Sequence, residues 1–571
     1  MGTITGKTLK NIICDQRYLA LWVVAALIVP NAVLPFTEGW PAVESIAGIL
    51  VPAGIYTLIL SASRRTGITT WCLLPVMILS AFQLVLLYLY HRGLIGVDMF
   101  LNVFTTSFSE ATTLLRNLVV ALAVVVLLYV TPLVWGTYTL TKHIRLSRQH
   151  RRHMFYAGTA ISAAGIVTSL AAWFNAPDYD FADTTFPLNV TDNLITAINR
   201  TDEFANYEQT SANFSYNGIS TAPAQRRELY IIVIGETSRA ENWQLNGYRR
   251  PTNPHLMSEK GLTNFPRAFS ESNTTHKSVP MLISAASATS FDSIYCYKSI
   301  ISAFKDAGYQ TAFFSNQTPN RSYTQFFGNE AHNVKYVPET AKGIAAADTE
   351  LLPLIRNQIS QGNLKQLIVV HTYGSHFLYS DRYPASEAHF KPDNVTDADA
   401  AFRKELINAY DNSIRQTDLT LHEIISLARE AGCRAAVIYA SDHGEDIFDD
   451  NRNLFLHASP VPSARQLHVG ACCWLSDSLD AQSPEASHNL KRNHRKFISP
   501  QKSVFHTIID LAQISTPYFR DDKSLVSETY TEPTPLYVTD RNEALPWSQV
   551  KFQQPDYDYF KKHAAINIAH K

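Results

Sequence analysis

Five stretches in the first third of the chain are long and apolar enough to cross a bilayer, for which a helix needs about 20 such residues. They run approximately from Tyr18 to Leu34, Val43 to Leu60, Trp71 to Leu94, Leu115 to Val134 and Phe155 to Trp173. No small-residue cleavage site follows the first stretch, and further spans come at once, so it is not read as a signal peptide. The expectation is an α-helical five-span transmembrane domain over residues 1–175, followed by a globular head. Basic residues assign the sides. Lys7, Lys10 and Arg17 precede the first span, Arg64 and Arg65 follow the second, and Lys142, Arg145, Arg148, Arg151 and Arg152 lie between the fourth and fifth. Positive segments stay cytoplasmic. An odd number of spans then puts everything after Trp173 on the far side, which in a bacterium is the periplasm. The loop from His91 to Asn117 falls on that face, with Phe100, Phe104 and Phe108 at helical spacing. It reads equally as a surface-lying segment or as a loop helix packed on the head.

The remaining residues have ordinary soluble composition, and a net charge of −1 over 571 residues points to no nucleic-acid partner. Residues 176–227, rich in Asp, Asn, Thr, Ser and Pro, read as a juxtamembrane linker with a short helix from Leu194 to Phe204. From Glu228 onward, strand-like runs at Leu229–Ile234, Gln310–Phe314, Gln366–Val370, Ala435–Ala440 and Val469–Leu475 alternate with helical stretches such as Ser299–Ala307 and Asn408–Glu430. That alternation predicts a mainly parallel sheet covered by helices, an α/β head over residues 228–571. The end of the chain from Tyr530, polar and aromatic, reads as a loose wrap or as a partly disordered segment. Of six cysteines, Cys472 and Cys473 are neighbours in one strand and point to opposite faces, so buried free thiols are expected for most of them.

Chemistry collects at the predicted strand ends. Ser441-Asp442-His443-Gly444-Glu445 follows the Ala435–Ala440 run, and Gly235-Glu236 follows Leu229–Ile234. Open α/β sheets place their ligand and metal sites at the carboxyl ends of strands. Alone, Asp442 could be a helix cap and His443 a surface residue. With Glu236 and the hydroxyls of Thr274-Thr275 they form two carboxylates, an imidazole and a hydroxyl oxygen, a set that zinc accepts in tetrahedral geometry. A metal beside a threonine lowers the hydroxyl pKa and makes it a nucleophile. The rim residues Arg321, His376, His457 and His468 suit a phosphate group.

The motifs resemble those of the membrane-bound phosphoethanolamine transferases that modify lipopolysaccharide. The opening run Gly235-Glu236-Thr237-Ser238-Arg239-Ala240 with Leu245-Asn246-Gly247-Tyr248-Arg249-Arg250-Pro251-Thr252-Asn253-Pro254 is similar to that family's signature. The likeness continues through Ser278-Val279-Pro280-Met281, Gly374-Ser375-His376, Tyr410-Asp411-Asn412-Ser413, the Asp442-His443 run and Val504-Phe505-His506-Thr507. The resemblance implies an alkaline phosphatase/sulfatase-like head in the periplasm, anchored in the bacterial inner membrane. It further implies a zinc cofactor held by Glu236, Thr275, Asp442 and His443, with Thr275 as the nucleophile. Gln317, Arg321, His376 and His457 fall where the family keeps groups for phosphoethanolamine or a second zinc, and His468 matches a further histidine. Glu445 reads as an orienting partner of a metal-bound imidazole, and Lys277 as a solvated side chain. The activity implied is zinc-dependent transfer of phosphoethanolamine from phosphatidylethanolamine to lipid A or lipopolysaccharide core through a phospho-threonine intermediate, by a monomer.

Two departures leave alternatives open. The nucleophile segment reads Ser272-Asn273-Thr274-Thr275-His276-Lys277 without the family's flanking cysteines, so Thr274 is a rival nucleophile. Asn316-Gln317 resembles members that modify the lipopolysaccharide core, while the opening motif resembles lipid A modifiers. Competing readings are a phosphoglycerol transferase or sulfatase-type hydrolase on the same scaffold, and a membrane-tethered binding protein with a degenerate site.

Overall fold

The structure is a computed structural model, and it describes residues 13–105, 118–176, 179–337, 347–395, 399–566 and 568. It divides into two compact units, residues 1–100 with 114–198, and residues 101–113 with 199–571.

The first unit is helical. Gln16–Glu38, Ala42–Ser61, Val119–Thr141 and Arg148–Asn175 are each long and apolar enough to cross a membrane. The third expected span is instead two helices, Thr66–Cys72 and Leu74–Tyr90, bent by 57°. Five spans therefore stand if the bent pair counts as one. Ala42–Ser61 and Arg148–Asn175 approach closely because glycines line the seam: a Cβ on Gly54 would fall 2.2 Å from Ser162 Oγ and 2.8 Å from the Gly158 carbonyl oxygen. Without a hydrophobic drive between helices in lipid, such small residues are what allow tight packing. Part of the His91–Asn117 loop is the helix Val97–Thr105, which holds Phe100 and Phe104; Phe108 lies outside the described residues.

The second unit is built on a seven-stranded sheet. Its strands are β1 (Glu228–Gly235), β2 (Leu262–Asn264), β3 (Gln310–Ser315), β4 (Asn333–Tyr336), β5 (Lys365–His371), β6 (Arg434–Ser441) and β7 (Ala471–Leu475), in the order β2-β7-β6-β1-β5-β3-β4. The sheet is parallel except that β7 runs antiparallel to both its neighbours. Central β1 is buried along its whole length. Tyr230, Ile232 and Ile234 join one hydrophobic cluster, while Leu229, Ile231 and Val233 face the other way and are equally buried. Each fully buried aliphatic side chain contributes roughly 1.5–3 kcal/mol, so a strand apolar on both faces belongs at the centre of a covered parallel sheet.

Register then decides where chemistry can occur. Ile234 pairs with His371 of β5 and Ala440 of β6, Gly235 pairs with Ser441, and Ser315 of β3 pairs with His371. The carboxyl ends of β1, β3, β5 and β6 thus lie level along one edge.

Two expectations need correction. The segment from Tyr530 is no loose wrap: Leu536–Val538 pairs with Ala544–Pro546, and the helix Gln554–His563 follows. Trp547, Phe552, Tyr559 and Phe560 bury against Phe269 and Phe497, apolar area enough to hold it down. The expected juxtamembrane linker is also more than a connector, because Tyr207 and Tyr216 are part of the main core.

Candidate metal and catalytic site

The loop leaving β1 is folded by its own side chains. Thr237 adopts φ +58°, its hydroxyl donates to Glu236 Oε1 at 2.6 Å, and its backbone N–H donates to Asp442 Oδ1 at 3.1 Å. Behind it lies the long helix Arg403–Glu430. Tyr410 on that helix takes a hydrogen bond from the Arg239 N–H at 2.8 Å and donates to the Thr237 carbonyl at 2.7 Å. Asp411 accepts from Asn242, Tyr248 and Arg250. The length of the opening motif is thereby explained: its later residues clamp the strand-end loop onto the helix.

Four side chains converge at the edge. Thr275, first residue of the helix Thr275–Leu282, places Oγ1 3.2 Å from Glu236 Oε2 and 3.1 Å from His443 Nε2. His443 Nε2 lies 3.3 Å from Asp442 Oδ2 and 3.5 Å from Glu236 Oε1. Nδ1 of the same ring meets the Gly444 carbonyl at 3.0 Å. A carbonyl can only accept, so Nδ1 carries the proton and the Nε2 lone pair faces the two carboxylates. Asp442 Oδ2 is buried and accepts no hydrogen bond among the described residues.

Burial disfavours charge on both carboxylates. Neighbouring imidazoles of His443 and His376 and the Thr237 hydroxyl nevertheless hold Glu236 below its ordinary range, whereas burial and the Glu236 charge push Asp442 well above its own. Burial also lowers the His443 pKa. An electron-rich cluster of this kind favours a cation. Ligands about 2.0–2.2 Å from a tetrahedral zinc stand roughly 3.3–3.6 Å apart, and the four contacts of Thr275 and His443 with one another and with the two carboxylates run from 3.1 to 3.5 Å. The residues fit zinc.

Around this group, Gln317 Nε2 donates to Glu236 Oε2 at 3.1 Å and to the Thr372 carbonyl at 3.0 Å. The His457 ring lies 4.1 Å from that of His443 and 5.8 Å from that of His376, and ligand atoms of Glu236, His443 and His457 all come within 4.8 Å of one another. Glu445 is fully buried, with Oε1 3.5 Å from His457 Nδ1. Its carboxyl pKa is pushed well up by burial and by Asp446 and Glu236. Arg321 is exposed, at φ +57°. Thr274 turns its hydroxyl to Ser272 Oγ at 3.1 Å instead of to the cluster.

Two expected roles change. His468 is spent on structure: Nδ1 meets the Tyr559 hydroxyl and Nε2 the Pro266 carbonyl, both at 2.9 Å, and its ring stacks 4.3 Å from Phe269. Lys277 is buried, not solvated, with Nζ on the Thr539 carbonyl. Sequence reasoning missed Thr237, whose left-handed backbone gives no composition signal, and Asp348, which lies outside every motif.

A sulfatase family profile matches residues 228–514, which contain the whole cluster. The chain belongs to the sulfatase family. This sulfatase-family chain is 28% identical over 315 residues to Kdo(2)-lipid A phosphoethanolamine 7''-transferase of Salmonella typhimurium, covering 52% of this chain and 54% of that one. It spans about half the length of the curated relatives it matches. Lipooligosaccharide phosphoethanolamine transferase A of Neisseria meningitidis, an integral membrane protein, shares the fold over 90% of this chain and 98% of its own, with TM-score 0.67 and 20% identity. The C-terminal periplasmic domain of EcEptC from Escherichia coli, solved in complex with Zn, matches with TM-score 0.52 and 23% identity over 59% of this chain and 96% of its own.

Proposed function

We propose that the chain is a zinc-dependent phosphoethanolamine transferase of the bacterial inner membrane, acting as a monomer with its catalytic unit in the periplasm. Its donor is phosphatidylethanolamine, and its acceptor is lipid A or the lipopolysaccharide core. The observation that carries the reading is the Thr275 hydroxyl, held at 3.2 Å from Glu236 Oε2 and 3.1 Å from His443 Nε2. The names of the relatives and the Zn complex of the EcEptC domain support the reaction class and the metal.

Zinc held by Glu236, Thr275, Asp442 and His443 would lower the pKa of the threonine hydroxyl and neutralise phosphate charge. Glu236 Oε2 accepts the hydroxyl proton as Oγ1 attacks the phosphorus of the donor headgroup. The Oγ1–P bond forms, the P–O bond to diacylglycerol breaks, and the departing oxygen takes a proton from His376. An acceptor oxygen then attacks the same phosphorus while His376 takes its proton. The Oγ1–P bond breaks and Glu236 returns a proton to Thr275. Gln317, Arg321 and His457 hold the phosphoethanolamine, and Glu445 orients His457.

Mass spectrometry of lipid A and core oligosaccharide from cells with and without the gene tests the proposal. One phosphoethanolamine should disappear from one of the two fractions without it, naming the acceptor; identical spectra in both fractions would overturn the reading.

A further inference from the structure

Resting on that function, we propose that Asp348 is a positioning residue: its carboxylate ties the loops after β3 and β5 together and thereby holds Gln317 and His376 against Glu236. Asp348 is 5% exposed. Oδ1 accepts from Asn316 Nδ2 and from the Tyr373 N–H, both at 2.8 Å, and Oδ2 accepts from the Gly374 N–H at 2.9 Å. All three donors come from the two site loops. None comes from the turn Asp348–Leu351 that Asp348 itself begins.

From those loops two short paths reach Glu236. Ser375, next to Gly374, donates its N–H to the Glu236 carbonyl at 3.0 Å, and His376 follows directly. Gln317, next to Asn316, bridges the Thr372 carbonyl and Glu236 Oε2. One carboxylate therefore sets the distance between the residue that accepts the nucleophile's proton and the two that flank the reacting phosphate. Small displacements there matter, since about 1 Å of misplacement can lower a rate on the order of a hundredfold.

The test uses the full-length protein in detergent, with phosphatidylethanolamine labelled in its headgroup as donor. Asp348→Asn should lower kcat about tenfold or more with zinc content unchanged. In a Gln317→Ala/His376→Ala background it should lower the residual rate less than about twofold, because residues acting as one unit are not additive. Hydrogen exchange should speed up at the Tyr373 and Gly374 amides while Leu367–Val370 of β5 stay protected. An equal fold-loss in both backgrounds overturns the proposal, as does unchanged exchange at those two amides. Should Asp348→Asn not fold, Asn316→Ala removes one donor and keeps the carboxylate; it should show a smaller loss with the same background dependence, and an equal loss in both backgrounds overturns the proposal there too. If the wild-type protein transfers no label, the functional reading fails separately, and exchange at Tyr373 and Gly374 still decides whether the tie exists.

Discussion

His443 Nε2 and Asp442 Oδ2 stand 3.3 Å apart at the end of β6, and the other ring nitrogen donates to the Gly444 carbonyl. Two acceptors facing each other in a buried site repel unless a cation lies between their lone pairs. Asp442→Ala and His443→Ala should each remove most of the bound zinc and transfer activity, read by elemental analysis and a headgroup-transfer assay. Full zinc in both alanine variants would show that the ligands are misassigned.

The nucleophile can be separated from its neighbour. Brief incubation with phosphatidylethanolamine and no acceptor should add one phosphoethanolamine to the peptide containing Ser272–Met281. Thr275→Ala should abolish the mass shift and leave the fold intact. Thr274→Ala, which loses only the contact with Ser272 Oγ, should keep the label and destabilise by about 1 kcal/mol. A label that survives Thr275→Ala and vanishes in Thr274→Ala would reverse the assignment.

Gly374 has φ +54°, and a Cβ there would lie 2.4 Å from the Glu236 carbonyl oxygen. Gly374→Ala should therefore move the Glu236 backbone, weaken zinc retention and lower the melting temperature, with a penalty of about 1–3 kcal/mol for the strained backbone. Wild-type zinc affinity in this variant would contradict the close approach.

His468 should govern stability and not substrate binding. Burial lowers its pKa to about 3, far below the roughly 6.5 of an unfolded histidine. Between those values the unfolded chain binds the proton and the folded one does not, so this contribution is present above about pH 6.5 and is lost as pH falls towards 3. His468→Phe should flatten the acid side of the melting-temperature profile, lower the melting temperature at neutral pH and leave KM for the donor unchanged. A raised KM at unchanged stability would restore a substrate-binding role.

Reporter fusions test the sidedness implied by the basic clusters. A reporter active only outside the cytoplasm should be on when fused after Trp173 and off near Arg148. The opposite pattern would invert every span.

Much of the site was legible because its residues sit next to strand ends that are themselves written in the sequence. The apolar run Leu229–Ile234 ends at Glu236, and Ala435–Ala440 ends at Asp442 and His443; in a parallel sheet such ends must come out on one edge, so the pairing of these side chains could be expected before any coordinates. Thr275 was narrower. Sequence left Thr274 as a rival, and only the turn of the helix beginning at Thr275 sends one hydroxyl to Glu236 and the other to Ser272.

What the sequence alone determined was the apolar anchor, the alternation of strands and helices, and the strand-end placing of Glu236, Asp442 and His443, all of them properties of local pattern. The tertiary structure decided the surroundings of His457, His468 and Asp348. A histidine beside a loop has the same chemistry whether its ring nitrogens meet protein partners or a metal, and packing alone chooses: His457 packs against His443, while Tyr559 and Pro266 take both nitrogens of His468. Asp348 was invisible for the same reason, since its three donors, Asn316, Tyr373 and Gly374, are assembled by the parallel register of β3 and β5 and not by neighbourhood in the chain.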